Sequence, residues 1–276
     1  MPNRTNTNSK RVGAVFSLIF LWLTLSAVAP AAVKSGQALT PTQIQIEKER
    51  QRLNSADAEE RRDALMHLGA MRTAAASKTC LVGLTDATPM NRAVAAQSIL
   101  SLSPEESVPA LLPLLNDKDE FVRREAVHAL GLTRSRSATS SIIGLLLNDK
   151  QGSVRSAAAI ALGRIGDESA VVTLATLLSP DLSGAKNTRR KPETNPFVLR
   201  ASAVALGRIR SRAGTPALIA ALSNEKLASD VRREAARALG LIGDPSAAAS
   251  LRAATQAQDP YLSEAAYEAL KKIGPP

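Results

Sequence analysis

The residues best suited to chemistry in this sequence are two histidines and one cysteine. Neither His67 nor His128 precedes a glutamate, and no serine or cysteine motif accompanies them as a nucleophile beside a base. Cys80 is the only cysteine, which excludes an internal disulfide and a cysteine-held zinc or iron–sulfur centre. We therefore predict no catalytic residue, no metal site and no cofactor. His67 is interpreted as a partly buried helix residue, Cys80 as a buried one, and His128 as a residue at the rim.

Basic side chains form the second group of candidates, because the chain carries a net charge of +10. Between residues 186 and 212, eight Lys and Arg residues face a single acidic residue, Glu193. Part of this charge falls in the stretch 181–196, DLSGAKNTRRKPETNP, whose composition predicts a basic loop insertion. The residues predicted to bind a partner are Lys186, Arg189, Arg190, Lys191, Arg208, Arg210 and Arg212.

Two wider sets of arginines recur along the chain. The first set lies in predicted turns, where its charges either complement helix dipoles or form one basic edge. It comprises Arg72, Arg134, Arg136, Arg164, Arg208, Arg210 and Arg212. The second set stands just inside predicted helices and is expected to pair with acids such as Asp57 or Asp119. It comprises Arg61, Arg123, Arg155 and Arg232, which we interpret as structural.

The elements that position these residues come from an internal repeat. Seven segments align on a leucine with a small residue four positions earlier, a spacing that marks one packed face of a helix. The leucines are Leu68, Leu100, Leu130, Leu162, Leu206, Leu239 and Leu270, at spacings of 32, 30, 32, 44, 33 and 31 residues. A glycine follows five of them, and a second apolar run such as VPALLPLL or VVTLATLL comes after each turn. Each unit is therefore predicted to be a pair of short helices that buries its apolar face against its neighbours.

The segments VRREAARALGLIGD and VRSAAAIALGRIGD resemble HEAT-like repeats of the short kind found in phycobilisome-lyase-type proteins. The resemblance covers roughly residues 55–275. It implies an all-α fold, an α-α superhelix or solenoid of about seven short helical hairpins over residues 55–276. The second unit fits least well, because Ser101 stands at its glycine position and Arg92 is one place out of register.

HEAT-like repeats usually serve as protein-binding scaffolds, and this is the function that the resemblance implies. Deoxyhypusine hydroxylases look similar but hold two irons with repeated His-Glu pairs, which this sequence lacks. Bilin lyases are the other enzymatic branch. Their activity has no compact signature, so a lyase-like or accessory activity on a protein-bound group stays as the alternative.

The beginning of the sequence predicts export. Residues 1–31 place a basic start before an apolar run and small residues, the order of a signal peptide, with Ala29-Pro30-Ala31 as the cleavage motif. The run also reaches the length of a membrane anchor, so a tethered structural protein facing out of the cytoplasm is a further alternative. Residues 32–54 are predicted to hold a linker and a capping helix with Thr40 as N-cap.

We therefore expect a periplasmic or secreted, non-enzymatic scaffold for a protein partner with an acidic surface. Nucleic acid is not expected as a partner. Single-strand binders stack bases on several aromatic side chains, and the basic stretch contains one aromatic residue, Phe197. Membrane contact is expected only if the leader is retained.

Overall fold

The computed structural model describes residues 38–179 and 192–274, and these ranges contain fourteen α-helices and no β-strand. The first seven helices are α1 (Pro41–Arg52), α2 (Ala58–Ala70), α3 (Ala74–Cys80), α4 (Pro89–Ser98), α5 (Pro104–Leu111), α6 (Glu120–Thr133) and α7 (Thr139–Asn148). The others are α8 (Gly152–Ile165), α9 (Val171–Leu178), α10 (Pro196–Ile209), α11 (Thr215–Ser223), α12 (Ser229–Ile242), α13 (Ala248–Ala254) and α14 (Pro260–Ile273). The all-helical prediction is confirmed.

Helices α2 to α13 form six antiparallel hairpins, and α14 is the first helix of the seventh unit. The first helices, α2, α4, α6, α8, α10, α12 and α14, pack side by side in chain order. The second helices α5, α7, α9, α11 and α13 each pack mainly against the first helix of the following unit, and less against one another. One apolar core runs through the whole array, so the predicted repeat solenoid is confirmed.

Glycines after the shared leucines allow the first helices to pack closely. A Cβ added at Gly163 would lie 2.7 Å from the Cα of Ala205, and one added at Gly240 would lie 2.7 Å from the Cα of Ala269. Real side chains essentially never come this close. Larger residues at these positions would therefore separate neighbouring units and open the core.

The second unit corrects the sequence alignment by one residue. A Cβ added at Gly69 would meet Ser98, which places Ile99 at the shared leucine position and Leu100 at the glycine position. Ile99 is fully buried, whereas Leu100 is half-buried. The alignment on Leu100 was therefore wrong, and Arg92 is in register. Because a leucine cannot enter the close glycine contact, α4 ends at Ser98 and is shorter than the other first helices.

The first and last described helices of the array, α1 and α14, have polar residues at distinctive positions. Helix α1 begins after Thr40, whose side chain accepts a hydrogen bond from the Gln43 backbone N–H, while the Gln43 side chain accepts one from the Thr40 N–H. In α14, Lys271 stands at the glycine position and Tyr267 is exposed. Among the residues described, no helix combines the length and the apolar character needed to span a bilayer. The predicted leader, residues 1–31, lies outside the described residues.

Candidate functional site

The two histidines do not form a catalytic arrangement. The side chain of His67 is 59% exposed, with Nδ1 3.4 Å from the buried Glu49 carboxylate. The prediction that His67 is partly buried was wrong. From the fourth unit onward this position holds an alanine pressed against the preceding first helix, whereas His67 lies beside Arg52 and Glu49 of α1. His128 is half-buried and its Nδ1 accepts a hydrogen bond from Gln97 Nε2 at 3.2 Å. Burial lowers the pKa of His128, as does the nearby Arg164 charge.

Cys80 is a fully buried core residue at the end of α3. Its Sγ lies 3.9 Å from the carbonyl oxygen of Leu65, to which the thiol donates. Burial raises the pKa of the Cys80 thiol to about 12, so the thiolate form is suppressed at neutral pH. In the described ranges, no group of three or more His, Cys, Asp or Glu residues is arranged to hold a metal ion.

A regular series of arginine–carboxylate pairs runs along the turns between units. In the third unit, Arg123 Nε and Nη2 donate to the two carboxylate oxygens of Asp149 at 2.7 and 3.1 Å. Its Nη1 donates to the carbonyl oxygens of Asp117 and Lys118. The same pairing joins Arg61 to Asp86, Arg92 to Asp117 and Arg155 to Glu193. We call these four pairs the arginine ladder.

The structural role predicted for these arginines is confirmed, but their predicted acid partners were wrong. Asp57 and Asp119 accept hydrogen bonds from backbone N–H groups at the starts of α2 and α6, which would otherwise lack acceptors. Their carboxylates are therefore occupied as helix caps. Arg232 also departs from the series, because its Nε donates to the Leu222 carbonyl oxygen.

The turns inside the hairpins carry arginines in an unusual backbone conformation. Arg72, Arg134 and Arg210 have φ angles of 49°, 54° and 59°, in the left-handed region. Two other units place Gly166 and Gly243 at this position. Glycine adopts this conformation without steric cost, whereas a side chain with a Cβ is destabilised by about 1 kcal/mol. These three arginines are therefore held in a conformation that glycine would adopt more easily.

The edge formed by these turns is not continuously basic. Acidic residues interrupt it, and the hydroxyl of Ser211 in the fifth unit donates to Glu168 Oε1 in the fourth at 2.6 Å. The charges of Arg136 and Arg212 contribute to lowering the pKa of Asp167 and Asp244, each an aspartate of the following unit. The principal cause in both cases is a hydrogen bond from a backbone N–H. The alternating charges favour the helix-dipole interpretation of the edge as a whole.

The basic residues between 186 and 212 are continuous in sequence, but helix α10 separates them into a group before its N-terminal end and a group at its C-terminal end. Arg208, Arg210 and Arg212 are exposed at the C-terminal end of α10. The insertion precedes its N-terminal end, and α10 is 14 residues long, about 20 Å. Of the predicted binding residues, Lys186, Arg189, Arg190 and Lys191 lie outside the described residues. The last part of the insertion is anchored on the turn side between units, because Glu193 joins the arginine ladder.

Four of the seven first helices carry a large apolar side chain at one repeat position on their exposed side, a feature that the sequence reasoning missed; the other three have Glu59, Ser153 and Asp230 there. Met90, Phe121, Phe197 and Tyr261 each stand nine residues before the shared buried position of their unit. Met90, Phe197 and Tyr261 are 44%, 65% and 68% exposed, and Phe121 is half-buried. We call these four residues the aromatic row. The signal was present in the sequence, because the three aromatic residues recur at one repeat position.

Arginines stack on two rings of the aromatic row. The guanidinium carbon of Arg124 lies 4.9 Å from the centre of the Phe121 ring, and that of Arg233 lies 4.9 Å from the centre of the Tyr261 ring. A shallow groove of about 370 Å³ borders the row, lined by Met66, Gly69, Ala93, Val94, Gln97, Ser98, Phe121 and Glu125. A larger groove of about 1120 Å³ lies between α5 and α7, but its ladder carboxylates are already paired. The first-helix side therefore offers the apolar candidate surface.

The repeat geometry agrees with a known family. The HEAT-repeat family matches the sequence at residues 46–131, 81–152, 114–190 and 189–271. The chain belongs to the HEAT-repeat family. The matched ranges include every hairpin described above and most of the last helix, α14. HEAT repeats build helical scaffolds suited to protein binding, and this coarse function agrees with the stacked hairpins.

Solved structures place this HEAT-repeat chain among other repeat proteins. YibA of Escherichia coli is 17% identical, with 84% of this chain and 81% of that chain covered and a TM-score of 0.55. An engineered protein is 23% identical, with 83% and 68% covered and a TM-score of 0.51. The complex of CpcE and CpcF of phycocyanin lyase from Nostoc sp. PCC7120 is 24% identical, with 89% and 90% covered and a TM-score of 0.49. The likenesses to YibA and to the engineered protein show the fold alone. No curated protein sequence matches the chain.

Proposed function

We propose that this chain is an exported, non-enzymatic scaffold that binds a protein partner across the exposed side of its first helices. The aromatic row is the observation that carries this proposal. Exposed aromatic and methionine side chains beside arginines have the composition of the energetically important centres of protein interfaces. Export rests on the residue order of the leader, and the non-enzymatic assignment rests on the separate, differently paired histidines and the buried thiol.

Photo-crosslinking in the full chain tests the surface. A photoreactive phenylalanine analogue at Phe197 is expected to crosslink a partner in envelope extract, with the partner identified by mass spectrometry. The matched control places the same analogue at Val172, which is 73% exposed on the second helix α9. Equal crosslinking of one partner from both positions would contradict the assignment of binding to the first-helix side.

Substitution of two row residues measures their contribution to binding. Phe197→Ala with Tyr261→Ala is expected to weaken partner binding at least about ten-fold, because truncating buried interface aromatics costs 2 kcal/mol or more in total. The control is Val82→Ala with Val172→Ala, since Val82 is exposed in the 3-10 turn after α3 and Val172 is exposed on α9. Sequencing the N-terminus of the exported form tests the leader separately, and an intact Met1 would contradict the soluble form.

A further inference from the structure

Three arginines differ from the other arginines on the first helices. Most of the others form ion pairs: Arg61, Arg62, Arg92, Arg123, Arg124, Arg155, Arg233 and Arg237. Arg232 instead donates to a backbone carbonyl oxygen. Arg164, Arg200 and Arg208 have neither a carboxylate nor a hydrogen-bond acceptor among the residues that the structure describes. All three lie on the neighbouring helices α8 and α10.

These arginines occupy one surface. Arg200, Val204 and Arg208 follow each other at four-residue intervals, so they form a stripe on α10 about 12 Å long. Arg164 holds the position on α8 that Arg208 holds on α10, and Ile160 correspondingly matches Val204. The close contact of α8 with α10 keeps the two stripes adjacent. We call this set of five residues the arginine face.

No acidic residue occurs in α8 or α10, so nothing on these two helices neutralises the arginine face. Arg164 is half-buried, and its Nη1 atom is fully buried without a hydrogen-bond partner. A buried guanidinium nitrogen without an acceptor is costly, and the cost is reduced when a carboxylate pairs with the same group. The structure thus holds an arginine cluster that a ligand carboxylate would complete.

We infer that the arginine face docks an acidic, partly apolar segment of the partner protein, an inference that rests on the proposed scaffold function. Carboxylates of the segment pair with Arg164, Arg200 and Arg208. Its apolar side chains contact Ile160 and Val204, which lie between the charges. Phe197 begins the same helix, so the arginine face continues the aromatic row and the two form one docking surface.

A polypeptide fits this surface better than a nucleic acid does. An extended phosphate backbone gains affinity from many cations along its path. The neighbouring first helices, however, place Glu125 and Glu234 on the same side, five residues before their shared leucines. These carboxylates would repel phosphates that continue past α8 and α10. A short segment that combines carboxylates with leucine-like side chains matches both the three charges and the apolar residues between them.

Fluorescence anisotropy with the full chain tests the inference. The probe is a labelled 12-residue peptide of alternating leucine and glutamate pairs, and its comparison is the same peptide with lysine in place of glutamate. We expect the glutamate peptide to bind and the lysine peptide not to bind. Arg200→Glu with Arg208→Glu is expected to weaken binding at least about ten-fold, because like charges then face each other.

The control variant is Arg136→Glu with Arg252→Glu, which changes the net charge equally at two exposed residues outside the first helices. It is expected to bind within about three-fold of the unaltered chain, since distant surface charges are screened by salt. Equal weakening by both variants would mean that net charge alone governs binding, and would overturn the inference. So would unaltered binding by the Arg200 and Arg208 variant, or failure of the unaltered chain to bind the glutamate peptide.

Two further measurements show which class of ligand binds the arginine face. If heparin or a thymidine oligonucleotide binds more tightly than the glutamate peptide, and loses affinity in the Arg200 and Arg208 variant, the polypeptide assignment is overturned. Crosslinking of a partner at Phe197 that persists in this variant contradicts the acidic segment but leaves the scaffold function standing. Peptide binding without any partner crosslink at Phe197 contradicts the scaffold function instead.

Discussion

The arginine ladder and the arginine face place the same residue type in opposite circumstances. In the ladder, the Arg123 side chain is 15% exposed and donates to both oxygens of a carboxylate that is 4% exposed. In the arginine face, Arg200 and Arg208 are exposed and have no partner among the described residues. Both sets lie on first helices and recur at repeat positions. The partners of an arginine, rather than its presence, therefore separate a structural role from a binding role.

The largest expected difference between the two sets is in stability. Arg123→Ala removes the partner of the buried Asp149 carboxylate and two hydrogen bonds to backbone carbonyl oxygens. We expect it to lower the free energy of unfolding by about 2–3 kcal/mol. Arg200→Ala is the matched control and is expected to change it by less than about 0.5 kcal/mol. Urea denaturation followed by circular dichroism measures both, and equal losses would remove the distinction.

The second-largest effect is expected at low pH, because protonation of the ladder carboxylates weakens their pairing with the arginines. Hydrogen bonds from Arg61 lower the pKa of Asp86 to about 2, and those from Arg92 lower the pKa of Asp117. Because the folded-state pKa lies below the unfolded value of about 3.9, this stabilisation is present above pH 4 and is lost as the pH falls toward 2. Allowing for solvent screening, Asp86 alone contributes of order 1 kcal/mol.

Urea unfolding at pH 5, 4, 3 and 2.5 measures this dependence. Asp86→Asn is the control, because it has no carboxylate to protonate and should show a shallower loss of stability. A variant slope as steep as that of the unaltered chain would show that Asp86 is not a source of the acid sensitivity.

The smallest expected effect concerns the arginines in the hairpin turns. Arg134→Gly is expected to raise the free energy of unfolding by about 0.5 kcal/mol, because relief of the left-handed strain exceeds the added flexibility of the unfolded chain. Arg136→Gly is the control, since Arg136 lies in a right-handed helical turn. Thermal unfolding of both variants tests this, and a loss of stability in Arg134→Gly would show that its side chain stabilises the turn.

The sequence was sufficient to predict the repeat, the helical hairpins and most of the buried positions. These features follow from local periodicity, because a small residue, a leucine and a glycine at fixed intervals define one face of a helix. Leu130, Leu162 and Leu206 are buried as the pattern predicts. The aromatic row also followed the repeat, but the pattern does not reveal whether a position nine residues before the leucine faces a neighbour or solvent.

Tertiary structure alone decided the register of the second unit and the partners of the arginines. Ile99 and Leu100 are both apolar, and only the contact of Gly69 with Ser98 shows which one enters the core. Arg61 reaches a carboxylate 25 residues away rather than the nearby Asp57. Such pairings depend on the distance and rotation between stacked units, and on which acids already cap a helix. Those quantities arise only when the hairpins pack together.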